Sequence, residues 1–224
     1  MLRLHDARTG LAGPPPGGPG LRVQVLDGGG LRAPVVADLL RRVAERGGRR
    51  GVRVVSVPSP ASDAWADHGI APFEVADAPL PDADVYVGGS GGPEGAGLWL
   101  DVPPETAGGV PSDDALAVRL AILEVPYREP LELTGARAAR AAERLDRWRG
   151  QVAEWATSPG RPMNRAYATE AEAALADDLD APGALAVLDR LAADPEVPPG
   201  AKLETFIHVD LLLALGLVSA IGSA

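Results

Sequence analysis

Cysteine is absent from the 224 residues. That excludes disulfides, thiol nucleophiles, iron–sulfur clusters and thiolate zinc sites. Histidine is scarce. His5, His68 and His208 stand far apart, so a histidine-built metal site is not expected either. Lysine occurs once, at Lys202, against 20 arginines. Aromatic residues make up 4% of the chain, so the core must be built mostly from Ala, Leu and Val. Long hydrophobic runs are also missing. The most apolar stretch, Phe206–Ile221, is 16 residues long and contains His208 and Asp210, short of the roughly 20 apolar residues a bilayer span needs. It reads as a buried terminal helix. No apolar leader is visible near the N-terminus. The expectation is a cytoplasmic, soluble protein with no membrane partner.

What is present is a globular composition: 46% hydrophobic and 23% charged residues, enough for a sizeable core. The net charge of −10 is unevenly spread. Residues 1–53 carry ten arginines and four acids, whereas residues 54–116 carry eleven acids and no base. A nucleic-acid binder usually shows a coherent basic face. The cluster Arg46, Arg49, Arg50 and Arg53 is the sole candidate and reads as a solvated helix end and turn.

Leu21–Leu26 alternates as a strand does, and Gly28-Gly29-Gly30 breaks it. Pro34 suits a first helical turn, Val35, Val36, Leu39, Leu40 and Val43 follow at helical spacing, and Gly47-Gly48 stops the helix. Gly51–Val57 is a second strand, completing a βαβ unit. Pro58–Pro81 is weakly patterned. Asp84–Val87 and Leu98–Val102 read as further strands, with Pro103–Pro111 as loop. From Ser112 the texture becomes helical. Ser112-Asp113-Asp114 opens a helix striped by Leu116, Leu120 and Leu123 and stopped by Pro126. Thr134–Ala156 is a long helix with Ala138, Ala141, Leu145, Trp148, Val152 and Trp155 facing inward, and helices at Asn164–Leu179, Pro182–Ala193 and Ala201–Ala220 follow. The predicted architecture is α/β: a small parallel Rossmann-like sheet over residues 1–111, followed by an all-α bundle over 112–224.

Gly28-Gly29-Gly30 lies between a strand and a helix, where backbone N–H groups attract phosphate. It matches neither GxGxxG nor a Walker motif. Gly88–Gly92 (GGSGG) follows another strand end, and two such turns at neighbouring strand ends would form one crevice. Asp177, Asp178 and Asp180 read as a helix junction rather than a magnesium site. Asp63, Asp67 and His68 lack a partnered nucleophile.

Four stretches resemble cysteinyl-tRNA synthetases and their tRNA-independent relatives, the cysteine ligases of mycothiol synthesis. Leu2–Thr9 (LRLHDART) is similar to the family's opening strand, and Leu31–Arg42 to the helix that begins in its HIGH signature. Ser112–Leu131, with Tyr127-Arg128-Glu129-Pro130-Leu131, is similar to the segment after the KMSKS loop. Ala174–Leu185 is similar to a stretch of the helical domain. The likeness touches most of the chain, in patches. It implies a class I synthetase-type sheet and a crevice for ATP or an adenylate. Within it, Asp27, Gly28, Gly29, Gly30, Arg32, Gly88 and Gly89 are the candidate nucleotide-binding residues.

The departures from the family bear on activity. Aligned on Arg32, Asp27-Gly28-Gly29-Gly30-Leu31-Arg32 stands over His-Ile-Gly-His-Ala-Arg, so both signature histidines are missing. The resemblance implies that these stabilise the transferring phosphates, and a carboxylate at Asp27 would repel them. No KMSKS-like lysine precedes Ser112. The family's zinc uses a cysteine ligand, so no zinc is expected. The chain is about half the length such a ligase requires, without an anticodon domain, so tRNA is not an expected partner. Losing one donor to a developing charge costs about 2.7–4 kcal/mol. Three readings follow. The first is a truncated, catalytically degenerate pseudoenzyme that binds a protein partner or a nucleotide-like ligand. The second is an adenylate-forming cysteine ligase with a rebuilt site relying on Arg32. The third is a subunit docking through Trp148, Trp155 and the Leu211–Leu217 face.

Overall fold

The computed structural model describes residues 1–16, 18, 20–26, 30–49, 51–58, 62–89, 92, 97–108 and 114–222, except the side chains of 62–64, 107 and 108. Five strands form a parallel sheet in the order β5-β4-β3-β6-β7. They are β3 (Leu21–Val25), β4 (Val52–Ser56), β5 (Glu74–Val75), β6 (Val85–Gly88) and β7 (Leu98–Asp101). Helix α1 (Arg32–Arg46) links β3 to β4, which pair in parallel with Val23 opposite Val54. The predicted βαβ unit is therefore present. Its apolar runs are explained by burial: Val23, Val25, Val85, Val87 and Leu100 are all enclosed. Parallel strands covered by crossover helices are expected to be apolar on both faces.

Ahead of the sheet, β1 (Leu4–Asp6) and β2 (Leu11–Gly13) pair as an antiparallel hairpin. Four short strands lie where the sequence pattern predicts none: β2 and three described next. β5 sits in the weakly patterned 58–81 stretch, together with a 3₁₀ segment, Ser62–His68, that buries Trp65 against Phe73. β8 (Thr106–Gly108) lies in the segment expected to be loop and pairs in parallel with β9 (Glu132–Thr134).

The second half is helical: α2 (Ala115–Leu123), α3 (Gly135–Trp155), α4 (Arg165–Ala176), α5 (Ala181–Ala193) and α6 (Pro199–Leu213). Caps set their starts. Asp114, Thr134, Asn164 and Asp180 each accept backbone N–H bonds from the first turn. Of the predicted helix signal Ser112-Asp113-Asp114, the first two lie outside the described residues. All six residues predicted to face inward on α3 are buried, and Trp148 and Trp155 both meet the ring of Phe206 edge-on. Two predicted helix ends were too long. α4 stops at Ala176 because Asp178 and Leu179 take left-handed backbone angles, and α6 stops at Leu213 because Ala214 does. No helix among the described residues is long and apolar enough to cross a membrane.

Sheet and bundle share one core, running from Val23 and Leu39 to Trp148 and Phe206. An enclosed ion cluster ties them. Asp38 of α1 accepts from Arg119 of α2 at 2.9 Å, from Arg42 at 2.8 Å and from Arg41. Arg119 also donates to the carbonyls of Leu213, at the end of α6, and His68. The N-terminus is tied to the bundle as well. Arg3 N donates to the Ala176 carbonyl, Asp178 N to the Arg3 carbonyl, and His5 N to the Asp178 carboxylate.

Candidate functional site

In an open parallel sheet, ligands bind beyond the strand C-termini where the strand order reverses. Here β4 lies on one side of β3 and β6 on the other, so the reversal falls between β3 and β6. Of the seven candidate residues, Gly30 precedes α1, Arg32 opens α1, Gly88 ends β6 and Gly89 follows it. Asp27, Gly28 and Gly29 lie outside the described residues. Gly30, Arg32, Gly88 and Gly89 gather at this one end of the sheet. Gly88 packs so closely on Leu26 that a Cβ there would stand 2.8 Å from the Leu26 Cβ. A Cβ at Gly89 would stand 3.3 Å from the Pro104 Cδ.

The segment passing this end carries Glu105, which the sequence reading did not select. Its carboxylate accepts from Leu31 N at 2.7 Å and Arg32 N at 3.1 Å. The start of α1 has no side-chain cap of its own and no acid in its first turn. Glu105 supplies both from 74 residues away, where helix N–H groups and the macrodipole favour an anion. Gly30 is required for two reasons. Its φ is +57°, and a Cβ there would lie 2.7 Å from each Glu105 oxygen. The amides that would hold a phosphate therefore hold the chain's own carboxylate, and the β8–β9 pairing steadies it from the next residue on.

Arg32 does not face a crevice. Its side chain is wholly buried, and its guanidinium donates to the backbone carbonyls of Pro103 at 3.3 Å, Pro126 at 2.8 Å and Glu129. Burial lowers its pKa, opposed by the charges of Glu105 and Glu129. Its Nε is buried without a partner. The gap beside it, between Val36, Leu39, Ile122 and Tyr127, is about 10 Å³, at or below what one water occupies. A planar fork satisfying three carbonyls in a dry interior is a fastening between α1 and the α2–β9 connection.

The remaining sequence candidates resolve into structural roles. Asp178 accepts from Tyr127 Oη at 2.6 Å and from His5 N, and pairs with Arg128 at 3.1 Å. Burial and that same carboxylate push the Tyr127 hydroxyl's pKa far up. Asp180 caps α5, and Asp177 lies near Arg3. His68 Nδ1 lies 2.8 Å from the Ala115 carbonyl, and the Asp63 side chain lies outside the described residues. Arg46 pairs with Glu172, Arg53 with Glu74, and Arg49 gathers backbone carbonyls. Arg50 is outside the described residues. Among the described residues no group of three or more His, Asp or Glu side chains is placed to hold a metal. With no cysteine in the sequence, the family's zinc donor set does not fit this chain.

No family model matches the chain. Individual curated proteins do. The L-cysteine:1D-myo-inositol 2-amino-2-deoxy-alpha-D-glucopyranoside ligase of Thermomonospora curvata is 41% identical over 109 residues, covering 46% of this chain and 25% of that protein. The enzyme of the same name from Streptomyces griseus is 42% identical over 111 residues, with the same coverage. The cysteine–tRNA ligase of Parvibaculum lavamentivorans is 42% identical over 90 residues, covering 39% of this chain and 19% of that protein. The matched stretches span a quarter or less of these relatives' lengths.

Proposed function

Starting from a chain that is a relative of the cysteine ligases over just under half of its length, we propose that it keeps their scaffold without their adenylation chemistry and acts by binding. The observation that carries this reading is the Glu105 carboxylate seated on the amides of Leu31 and Arg32. A nucleotide phosphate and Glu105 compete for the same donors, and the internal carboxylate has no translational entropy to lose. The sequence adds that the preceding turn carries Asp27 where the family has a histidine. Electrostatic stabilisation of the transferring group is commonly the largest catalytic contribution, and here the charge seated on these amides, that of Glu105, has the wrong sign.

The ligase alternative needs Arg32 to reach a phosphate. Its burial on three carbonyls supports the binding reading instead. The same holds for docking through Trp148 and Trp155. Both are enclosed, as are Leu212, Leu213, Leu215 and Leu217, while Leu211 is 63% exposed. A protein partner is the proposed class of target, since the seated Glu105 carboxylate occupies the Leu31 and Arg32 amides that a nucleotide's phosphate would need at this turn.

The test is cysteine-dependent ATP–pyrophosphate exchange, run beside thermal unfolding with ATP and Mg²⁺. No exchange is expected from the chain or from Glu105→Ala. Glu105→Ala is expected to lose about 1–2 kcal/mol of stability as a lost cap, and to gain a stabilisation by ATP or inorganic phosphate that the unmodified chain lacks. Measurable exchange by the unmodified chain overturns the reading.

A further inference from the structure

A cavity lies at the other end of α1, away from the strand ends. It measures about 610 Å³, within the range of small-molecule sites. Leu2, Pro14, Val43, Leu175 and Leu212 furnish its walls, from the N-terminal hairpin region, α1, α4 and α6. Among the described residues, no aromatic side chain lines it, and the polar side chains lining it are Arg46, Arg49, Thr169 and Glu172.

The charges at its edge are not balanced. Glu172 is countered by Arg46 Nε at 2.8 Å and approached by His208 Nε2 at 2.8 Å. Arg49 has no such counterion. Its hydrogen bonds go to the carbonyls of Pro15, Pro16, Gly18 and Gly20, at 3.0–3.3 Å. Among the described residues, no carboxylate lies within ion-pair distance of it. Carbonyl dipoles hold the guanidinium in place without cancelling its charge. The result is an aliphatic pocket with a fixed cation at its edge that no carboxylate among the described residues compensates.

We propose that this cavity binds a small amphipathic monocarboxylate, its saturated chain against the aliphatic walls and its carboxylate at Arg49. The absence of aromatic rings favours a flexible acyl chain over a planar ring system, because offset stacking has no partner there. A 15-residue helix is about 22 Å long, so such a ligand lies well away from Glu105. The inference therefore stands apart from the fate of the adenylation site.

The experiment is isothermal titration of the whole chain with hexanoate, octanoate and decanoate below their micelle concentrations, with decanol as the uncharged control. Each added methylene is expected to strengthen binding about fourfold, the affinity equivalent of burying one CH₂. Arg49→Gln is expected to weaken decanoate about five- to tenfold, as for a partly exposed charge-assisted contact, and to leave decanol unchanged. Ala173→Trp fills the cavity from the exposed side of α4 without crowding the core, and is expected to abolish binding of both. The proposal is overturned by any of three results. One is that no acid binds saturably. The second is that decanol matches decanoate. The third is binding that survives both substitutions, which is surface adsorption. Light scattering that shows a dimer, with decanoate having no effect, overturns it as well and assigns the face to a second copy of the chain.

Discussion

Asp38 is an acid with no exposed surface, held by three arginines. Burial opposes its ionisation, but Arg119, Arg42 and Arg41 outweigh burial and keep its carboxyl below the ordinary range. A carboxylate held low in the folded chain takes up its proton more readily once unfolded, at a pKa of about 3.9. Its stabilisation is therefore present above about pH 4 and is lost as pH falls through the folded value. Asp38→Asn leaves Arg119 buried with an uncompensated charge. It is expected to cost about 3–5 kcal/mol at neutral pH. The gap to the unmodified chain should narrow below about pH 4, as followed by urea unfolding across pH. A constant gap at every pH would show that Asp38 acts by packing alone. Arg119 and Asp38 are 81 residues apart, and neither carries a local mark that distinguishes it from a surface residue. Glu105 is the same kind of residue: an acid after two prolines, in a stretch that reads as loop. Arg32 could be picked from the sequence by its place in a motif, but its three carbonyl acceptors lie 71 to 97 residues away. The candidate site was legible as a position between two glycine turns. What fills it was not, because the filling residue acts across the fold.

At the scale of elements, patterns of period two and 3.6 revealed most of the structure. The stripe on α3 was read without error because every member faces one core. The same rule failed on α6. Its apolar period continues through Leu215 and Leu217, and both are buried, so burial gives no sign that the helix has ended. The stop is geometric. Ala214 takes φ +53° and ψ +51°, and Asp210 turns back to accept from Leu215 N at 2.7 Å and Leu217 N at 2.9 Å. Burial pushes the Asp210 pKa up, against these two N–H bonds and the charges of Arg119 and Arg42. A left-handed alanine carries strain that glycine does not. Ala214→Gly is expected to stabilise the chain by about 0.5–1 kcal/mol in thermal unfolding, and a loss would show that the Ala214 methyl packs to more effect than its backbone is strained.

Across the whole molecule, the sheet and the helices are bound by the Asp38 cluster, by Arg32 and by an unbroken core. The sequence suggests a boundary near residues 111–112, both of which lie outside the described residues. Calorimetry is expected to show one cooperative transition, with calorimetric and van't Hoff enthalpies in agreement. Two resolved transitions would make that boundary one of stability as well as of texture. The tie between the first strand and the turn after α4 has a consequence for how the chain is made. Residues 3–5 are synthesised well before their partners at 176–178, which follow only after some 170 more residues. At about 5–20 residues per second, that is a delay of roughly 10–30 s. During it the β1–β2 hairpin has little to hold it, since an isolated two-stranded hairpin is marginal in water. This strand is thus secured long after it is made, and an interrupted translation product ending before residue 176 would leave residues 3–5 open to proteases or chaperones.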